Sequence, residues 1–243
     1  MTALRAVNKG TLYLLPVPLG PVDPASVLPR DAIAITRRLD RFVVENAKTA
    51  RAILKLLEHP VPLREIVMHE LNEHTPNGIV GDLLQPLREG HDLGLMSEAG
   101  CPAVADPGSR LVELAHKEDI RVVPVVGPSS ILLALMASGM NGQRFAFNGY
   151  LPSKEPDRTT TLKRLESDSR RTKGVEIFIE TPYRNQAMLD AALQLNPNTR
   201  LCIACDITLA SEWIRSAPIS TWKKKPAETP LDRRPAVFLI QAS

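Results

Sequence analysis

The sequence of 243 residues has few cysteines and no long apolar run. Its three cysteines are an odd number, which argues against a disulfide framework and favours a reducing compartment. No stretch approaches the roughly 20 apolar residues that a membrane span needs. The apolar stretch near the N-terminus lacks the small-residue cleavage site of a signal peptide. We therefore expect a soluble, cytoplasmic protein with no membrane partner.

The sequence also lacks an excess of charge and two nucleotide-binding motifs. Thirty basic residues against 27 acidic ones give a net charge of +3, which does not by itself indicate a nucleic-acid partner. Neither the dinucleotide pattern GxGxxG nor the phosphate-binding pattern GxxxxGK[ST] is present. These absences disfavour enzymes that use NAD or a nucleoside triphosphate.

The first part of the chain alternates β-branched apolar runs with amphipathic segments, the pattern of βα units in a mainly parallel sheet. It predicts strands at Thr11 to Val17, Arg41 to Glu45, Glu65 to Glu70, Asp92 to Ser97 and Arg121 to Val125. It predicts helices at Thr49 to Leu57, Ile79 to Arg88, Ser109 to Lys117 and Ser130 to Ala137. In the first of these helices, Ile53, Leu54, Leu56 and Leu57 repeat at helical spacing, while Arg51, Lys55 and Glu58 are expected to face water.

The polar, glycine-containing segment 138–144 breaks this pattern and is the natural linker. We therefore predict two α/β domains, residues 1–140 and 144–243, with the boundary near residue 143. The second has predicted strands at Phe145 to Tyr150, Val175 to Ile179, Arg200 to Asp206, Glu212 to Arg215 and Ala236 to Gln241, and helices around Thr160 to Ser167 and Asn185 to Leu195. Because some of these strands follow one another through short links, we expect a mixed sheet.

Three loops rich in glycine and proline follow the first, fourth and fifth predicted strands. They are Pro16 to Gly20, Ser97 to Arg110 and Val126 to Ser130. In open α/β sheets, ligands bind beyond the carboxyl ends of the strands, and such loops let another molecule approach the backbone closely. S-adenosylmethionine, which carries no phosphate, suits a site of this kind, although composition alone does not select it. Ordinary turns remain the alternative for any single loop.

The same loops carry a resemblance to a known family. SEAGCPAVADPGSRLV resembles a characteristic segment of the tetrapyrrole methylase superfamily, in its branch of bacterial ribosomal RNA small-subunit methyltransferases of the RsmI type. LYLLPVPLG, DRFVVENAKTAR, MHELNEH, VPVVGPSS, FNGYLP and FIETPYRN resemble further motifs of that branch, in the same order. The resemblance covers about Leu12 to Asn185, with a weaker match in RPAVFLIQA.

This resemblance implies two α/β domains with a cofactor cleft between them, a homodimer, and methyl transfer from S-adenosylmethionine, with no metal. The implied acceptor is ribosomal RNA, at the ribose 2′-hydroxyl of a cytidine. By motif position, the residues implied to line the cofactor pocket are Pro18, Gly20, Ser97, Glu98, Ala99, Gly100, Pro102, Val104, Pro128, Ser129, Ser130, Thr181 and Pro182.

The sequence departs from the pattern of the branch near the acceptor. Asn46-Ala47-Lys48 replaces an acidic-Thr-Arg run, Glu98 stands where Asp is usual, and Tyr183 replaces a histidine. The chain also ends at Ser243, so we expect a short form that lacks the basic C-terminal extension of the ribosomal enzymes. Two other hypotheses stay open: a methylase of a small, tetrapyrrole-like molecule, and a module that binds the cofactor or RNA without turnover.

Titratable side chains follow the second and third predicted strands. Glu45, His69, Glu70 and Glu73 are expected at one edge of the sheet, where a base would help to deprotonate a ribose hydroxyl. Glu45, His69 and Glu73 are the catalytic candidates, and the alternative is carboxylates that only solvate a loop.

Two further patterns invite a metal interpretation. His69 and His74 are five residues apart, instead of the four that places two zinc ligands on one helical face. Cys202 and Cys205 lie in an apolar, strand-like run, where side chains three residues apart point to opposite faces. We interpret both cysteines as buried structural residues.

Basic residues concentrate beyond the linker. One cluster comprises Lys154, Arg158, Lys163, Arg164, Arg170, Arg171 and Lys173, and a second runs from Lys223 to Lys225. These clusters are candidates to contact RNA phosphates. A solvated helix face is the alternative for the first, because four acidic residues are interleaved with it.

Overall fold

The structure is a computed structural model that describes residues 8–224 and 231–243. The chain divides into two compact units, Met1–Ser129 and Ser130–Ser243. The helix Ser130–Ser138, which the sequence analysis placed in the first domain, belongs to the second unit. The boundary near residue 143 stays a prediction.

The first unit is built on a five-stranded parallel sheet. Its strands are β1 (Thr11–Leu14), β2 (Arg41–Val44), β3 (Val67–Glu70), β4 (Leu93–Met96) and β5 (Arg121–Pro124), in the order β3-β2-β4-β1-β5. Its helices are α1 (Pro24–Val27), α2 (Arg30–Arg38), α3 (Ala47–Leu56), α4 (Asn77–Val80), α5 (Gln85–Arg88) and α6 (Gly108–Lys117), with a 3-10 helix at Gly81–Leu84. All five predicted strands are confirmed, each within three residues at either end.

The central strands of this sheet are mostly apolar because both faces are covered. In β2, Phe42 and Val44 pack into one core cluster, whereas Val43, which points to the opposite face, packs into another. All three side chains are buried. Burial on both faces is typical of parallel sheets in α/β proteins and explains the continuous apolar runs.

Two helical predictions for the first unit need correction, and one helix of nine residues was missed. The predicted helix from Ile79 to Arg88 is three short helices, because Gly81 and Pro86 interrupt it. Helix α2 (Arg30–Arg38) was not predicted, although its sequence is amphipathic at helical spacing. In α3, Leu56 is 60% exposed, although Ile53, Leu54 and Leu57 are buried.

The second unit contains a five-stranded mixed sheet, as predicted. Its strands are β6 (Phe145–Tyr150), β7 (Val175–Glu180), β8 (Arg200–Cys205), β9 (Trp213–Pro218) and β10 (Ala236–Gln241), in the order β6-β7-β10-β8-β9. Its helices are α7 (Ser130–Ser138), α8 (Asp157–Thr172), α9 (Asn185–Ala192) and α10 (Ile219–Lys224), with a 3-10 helix at Pro182–Arg184. β6 is parallel to β7, whereas β10 is antiparallel to both β7 and β8.

One core cluster of the second unit packs between its sheet and its helices. The stacked rings of Phe178 and Phe238 lie at its centre, with centroids 5.6 Å apart. Cys202 and Cys205 are both fully buried in β8, as predicted, and burial raises their pKa values to about 12 and about 11. Both thiols are therefore protonated at neutral pH.

Candidate functional site

The three glycine- and proline-rich loops meet at the carboxyl edge of the first sheet, the edge where its parallel strands end. β1 lies between β4 and β5, so the loops that follow these three strands are neighbours. The backbone amide of Val17 donates to the carbonyl of Gly100 at 2.9 Å, and the Gly100 amide donates back at 3.2 Å. The Cys101 thiol donates to the carbonyl oxygen of Pro128 at 3.3 Å.

Two glycines permit this contact between loops. A Cβ atom placed on Gly127 would lie 2.1 Å from Cβ and 2.3 Å from Cγ of Pro16, which is far inside van der Waals contact. Gly100 has a φ of +72°, a conformation that residues with a Cβ rarely adopt. Gly127 is therefore required by the packing of the loops, and Gly100 by its backbone conformation.

The loop from Ser97 to Gly108 is held in an unusual conformation by one carboxylate. Ala103 and Ala105 have φ values of +65° and +60°, and Val104 between them is 49% exposed. Asp106 accepts hydrogen bonds from the amides of Ala103, at 2.9 Å, and Gly108, at 2.7 Å. Asp106 was not among the predicted site residues, although Asp before Pro-Gly is a signal for a side-chain-capped turn.

Burial raises the pKa of Asp106, and the hydrogen bonds from Gly108 and Ala103 partly oppose that effect. Because it accepts hydrogen bonds from the amides of Ala103 and Gly108, the Asp106 carboxylate acts as a structural clamp for this loop. Left-handed backbone at a non-glycine residue costs about 1–3 kcal/mol, so the loop needs such a clamp to keep its shape.

A group of polar side chains lies where the loops after β2 and β4 meet. Oε2 of Glu45 accepts a hydrogen bond from the Glu98 amide at 3.1 Å, and the Thr49 hydroxyl donates to Oε1 of Glu98 at 2.9 Å. The Ala47 amide donates to Oε1 of Glu70 at 2.9 Å. These contacts bring Glu45, Glu70 and Glu98 to one edge. From β2 the chain continues to β3 on one side of the sheet, and from β4 it continues to β5 on the other side. Two neighbouring strands whose connections run in opposite directions form a switch point, and ligands bind at such points.

The pKa of Glu45 is raised, chiefly by burial, while the hydrogen bond from the Glu98 amide lowers it in part. The negative charges of Asp106, Glu98 and Glu73 raise it further. A carboxylate with a raised pKa accepts a proton more readily than an ordinary glutamate, which suits a base.

The other two catalytic candidates are exposed. His69 lies on the outer strand β3 and pairs in register with Val43. Glu73 is 85% exposed and lies 3.5 Å from the equally exposed His74. Only Glu45 of the three is partly buried against the loops.

Arg110, which the sequence analysis did not single out, holds the loop that carries Glu73. Its guanidinium donates to the carbonyl oxygens of Thr75, at 3.2 Å, and Asn72, at 3.0 Å. Because Arg110 lies in the first turns of α6, it fixes the loop after β3 to the helix that follows the Asp106 clamp.

Replacing Arg110 by alanine is expected to loosen the loop 72–75. Two hydrogen bonds from a charged donor are lost, so the free energy of unfolding should fall by roughly 1–3 kcal/mol. Hydrogen exchange of the amides at residues 72–75 should become at least about tenfold faster. The matched control is Arg51→Ala on the exposed face of α3. Unchanged exchange in the Arg110 variant would contradict the assignment.

The remaining residues implied to line a cofactor pocket divide between the units. In the first unit, Pro18, Ser97, Pro102 and Pro128 are buried, whereas Glu98 and Ala99 are exposed. In the second unit, Ser130 begins α7, and Thr181 and Pro182 follow β7. The Thr181 amide donates to Oε1 of Glu180, whose side chain is fully buried.

The first basic cluster is only partly available for a phosphate. Arg158 is 7% exposed and forms an ion pair of 2.9 Å with Glu155, so its prediction as a contact residue was wrong. Arg171 pairs with Asp168 at 2.8 Å. Lys225 of the second cluster lies outside the described residues, while Lys223 and Lys224 are exposed on α10.

Within residues 8–224 and 231–243, no helix has both the length and the apolar character to cross a membrane. In the same part of the chain, no three or more His, Cys, Asp or Glu side chains form a group suited to a metal ion.

Comparison with known proteins decides the family. Residues 12–222 match the model of the tetrapyrrole (corrin/porphyrin) methylases. The chain belongs to the tetrapyrrole methylase family. It is a methyltransferase, and the predicted resemblance and fold class are confirmed.

Several curated relatives of this methyltransferase are named ribosomal RNA small subunit methyltransferase I. The one from Halalkalibacterium halodurans is 33% identical over 206 residues, which are 84% of this chain and 67% of the relative. The one from Escherichia coli O157:H7 is 30% identical over 90% of this chain and 73% of its own length. The one from Micromonospora olivasterospora is 38% identical, and the match covers 75% of this chain but only 54% of the relative.

Solved structures of other methyltransferases share the fold of this methyltransferase. The methyltransferase CobJ has a TM-score of 0.62 and 17% identity, over 97% of this chain and 95% of its own. The uroporphyrin-III-C-methyltransferase of Thermus thermophilus has a TM-score of 0.55 and 17% identity, over 96% of this chain and 92% of its own. At this identity the likeness establishes the fold alone.

Proposed function

We propose that this methyltransferase transfers a methyl group from S-adenosylmethionine to small-subunit ribosomal RNA, at the ribose 2′-hydroxyl of a cytidine. The observation that carries the proposal is the packing of three glycine- and proline-rich loops against one another, directly beside Glu45 and Glu98. The names of the curated relatives support the RNA acceptor. Such an acceptor would place the reaction in the cytoplasm.

The residues at this edge fit S-adenosylmethionine. The ligand carries a sulfonium and an ammonium charge, which suit the carboxylate of Glu98, and an adenine, which suits exposed apolar side chains such as Val104 and Val126. The proposed cofactor-binding residues are those that the family motifs single out. When bound, the cofactor supplies an activated methyl electrophile.

Catalysis in this proposal depends mainly on position. Holding the acceptor oxygen and the methyl group in line accounts for up to roughly 7–11 kcal/mol of barrier reduction. Within the chain, the Asp106 clamp and the loop contacts provide rigidity. Glu45 is the proposed base that takes the proton of the ribose hydroxyl, with His69 and Glu73 as the further candidates.

Glu45→Gln tests the base. The amide oxygen of glutamine can still accept from the Glu98 amide, so the fold is expected to persist. Loss of a general base should lower the single-turnover rate about 100-fold and remove the rise of the wild-type rate as pH increases through the raised pKa of Glu45. A rate within about threefold of wild type would exclude Glu45 as the base.

The same variant has a defined effect on stability. Burial raises the folded pKa of Glu45 above the unfolded value, so its contribution to stability is present below the unfolded pKa and is lost as pH rises through the folded one. Ionised Glu45 therefore destabilises the fold at neutral pH. The glutamine variant is expected to unfold at an equal or higher denaturant concentration than wild type at pH 7.

The acceptor is tested by methyl transfer from radiolabelled S-adenosylmethionine to RNA and metabolite extracts of a strain that lacks this protein. Label in small-subunit ribosomal RNA, at a cytidine that becomes resistant to alkaline cleavage, is the expected result. Label only in a small-molecule fraction would instead indicate a metabolite methylase. Cofactor binding without transfer to either fraction would indicate a non-catalytic module.

A homodimer with no metal requirement remains part of the proposal. Light scattering should give about twice the chain mass of 26.7 kDa. Activity should survive dialysis against a metal chelator, because methyl transfer from a sulfonium needs no Lewis acid.

A further inference from the structure

Two tyrosines and an arginine lie together at one edge of the second sheet. β6 and β7 are parallel neighbours, and Tyr150 at the end of β6 pairs in register with Ile179 near the end of β7. The 3-10 helix Pro182–Arg184 follows β7 almost directly. Tyr150, Tyr183 and Arg184 therefore share this edge, and we call them the tyrosine–arginine surface.

The aromatic rings of this surface are largely in water. Tyr183 is 81% exposed and Tyr150 is 59% exposed, yet the whole chain has only three tyrosines. Rings this exposed add little to the stability of the fold, and exposed aromatic side chains at one edge of a sheet are candidates for an interaction site. The hydrogen bond to Glu180 chiefly raises the pKa of the Arg184 guanidinium, and the Tyr150 phenol is near enough to add to that effect.

Arg184 is held in a fixed orientation by a buried carboxylate. Oε1 of Glu180 accepts from Nε of Arg184 at 2.9 Å and lies 2.7 Å from its Nη2, while the Glu180 side chain is fully buried. The guanidinium itself stays partly exposed, with 39% of the arginine side chain accessible. Because Glu180 already holds the guanidinium of Arg184 in one orientation, Arg184 loses little conformational entropy when it binds a ligand.

The charge around this surface favours an anionic ligand. Exposed Lys154 follows β6, and exposed Arg233 precedes β10, whose first residue pairs with Glu180. Among nearby carboxylates, Glu155 is paired with Arg158. Asp232 is also exposed. The cations Lys154, Arg184 and Arg233 outnumber this carboxylate.

We propose that the tyrosine–arginine surface binds an unpaired nucleotide of the RNA substrate, with a base stacked on a tyrosine ring and a phosphate at Arg184. Exposed aromatic rings beside an oriented arginine are the chemistry by which proteins bind single-stranded RNA. This inference rests on the proposed function, because it concerns the same RNA. It identifies residues outside the methyl-transfer machinery that select a single-stranded acceptor.

The test uses Tyr183→Ala with Tyr183→Phe as its matched control. Removal of Arg184 is unsuitable, because it would leave the buried Glu180 carboxylate without its cation. The alanine variant should raise both the KM for ribosomal RNA and the Kd for a fluorescent single-stranded RNA of about ten nucleotides by about tenfold, the loss of one stacked base. The phenylalanine variant keeps the ring and should behave like wild type. Tyr150→Ala should act in the same direction.

Several outcomes would overturn this inference. One is an unchanged Kd for RNA in both alanine variants. Another is weakened binding of S-adenosylmethionine in calorimetry, which would place Tyr183 in the cofactor pocket. Binding of a protein partner that Tyr183→Ala abolishes while RNA binding persists would also contradict it. If wild type binds the RNA through Tyr183 but transfers no methyl group to ribosomal RNA, the proposed function fails instead.

Discussion

Replacing Gly127 by alanine is expected to abolish measurable binding of S-adenosylmethionine. The new Cβ would lie 2.1 Å from Cβ of Pro16, whose ring cannot rotate away, so the loops after β1 and β5 must separate. Extra atoms in a tightly packed contact cost about 1–3 kcal/mol. A misplacement of about 1 Å can cost an enzyme about 100-fold in rate, and we expect a penalty of similar size in cofactor binding. We therefore expect the Kd for the cofactor to rise at least about 100-fold.

The control for this variant is Gly81→Ala in the same unit. A Cβ at Gly81 meets no atom within 4 Å, so its folding and binding should match wild type. Circular dichroism and thermal unfolding must first show that the Gly127 variant is folded. If the folded variant binds the cofactor within threefold of wild type, the loop contact does not form the cofactor site. If it does not fold, Leu19→Ala, beside Gly100, tests the same contact with less strain.

Replacing Asp106 by alanine is expected to have the second-largest effect. The amides of Ala103 and Gly108 lose their acceptor, and the left-handed residues Ala103 and Ala105 lose the clamp that holds them. The free energy of unfolding should fall by about 2 kcal/mol. Cofactor affinity should fall by at least about tenfold, because the loop from Ser97 to Gly108 is no longer held in a single conformation.

Asp106→Asn separates the clamp from the charge. The asparagine oxygen can accept from both amides, so this variant should retain most of the affinity and stability that the alanine variant loses. Burial penalises the aspartate charge, so the asparagine variant is not expected to lose stability on electrostatic grounds. Equal losses in both variants, by calorimetry and denaturant unfolding, would show that the charge, and not the hydrogen bonds, is what the loop needs.

The ten strands could be predicted because each is indicated by the composition of its own residues, independently of the rest of the chain. Runs such as 41–45 and 236–241 are apolar and β-branched, since their residues are buried against a core. The helix at Arg30–Arg38 was missed although its sequence is amphipathic. The exposure of Leu56 could not be predicted either, since the pattern of apolar residues does not show where a core ends.

The edge of the candidate site could be predicted, but its internal contacts could not. The rule that ligands bind beyond the carboxyl ends of parallel strands selects the loops after β1, β4 and β5 without knowledge of the strand order. That Glu45 contacts the Glu98 amide depends on β2 lying beside β4, which no local pattern encodes. Arg110 and the Glu180–Arg184 pair lack a sequence signal for the same reason: their partners are set by tertiary packing.

The most direct test of the cofactor site is calorimetric titration of the folded wild-type protein with S-adenosylmethionine, beside Gly127→Ala and Gly81→Ala. The proposed site predicts saturable binding to wild type and to the Gly81 variant, and no measurable binding to a folded Gly127 variant. Absence of binding to folded wild type, or equal binding to all three proteins, would contradict a cofactor site at the carboxyl edge of the first sheet.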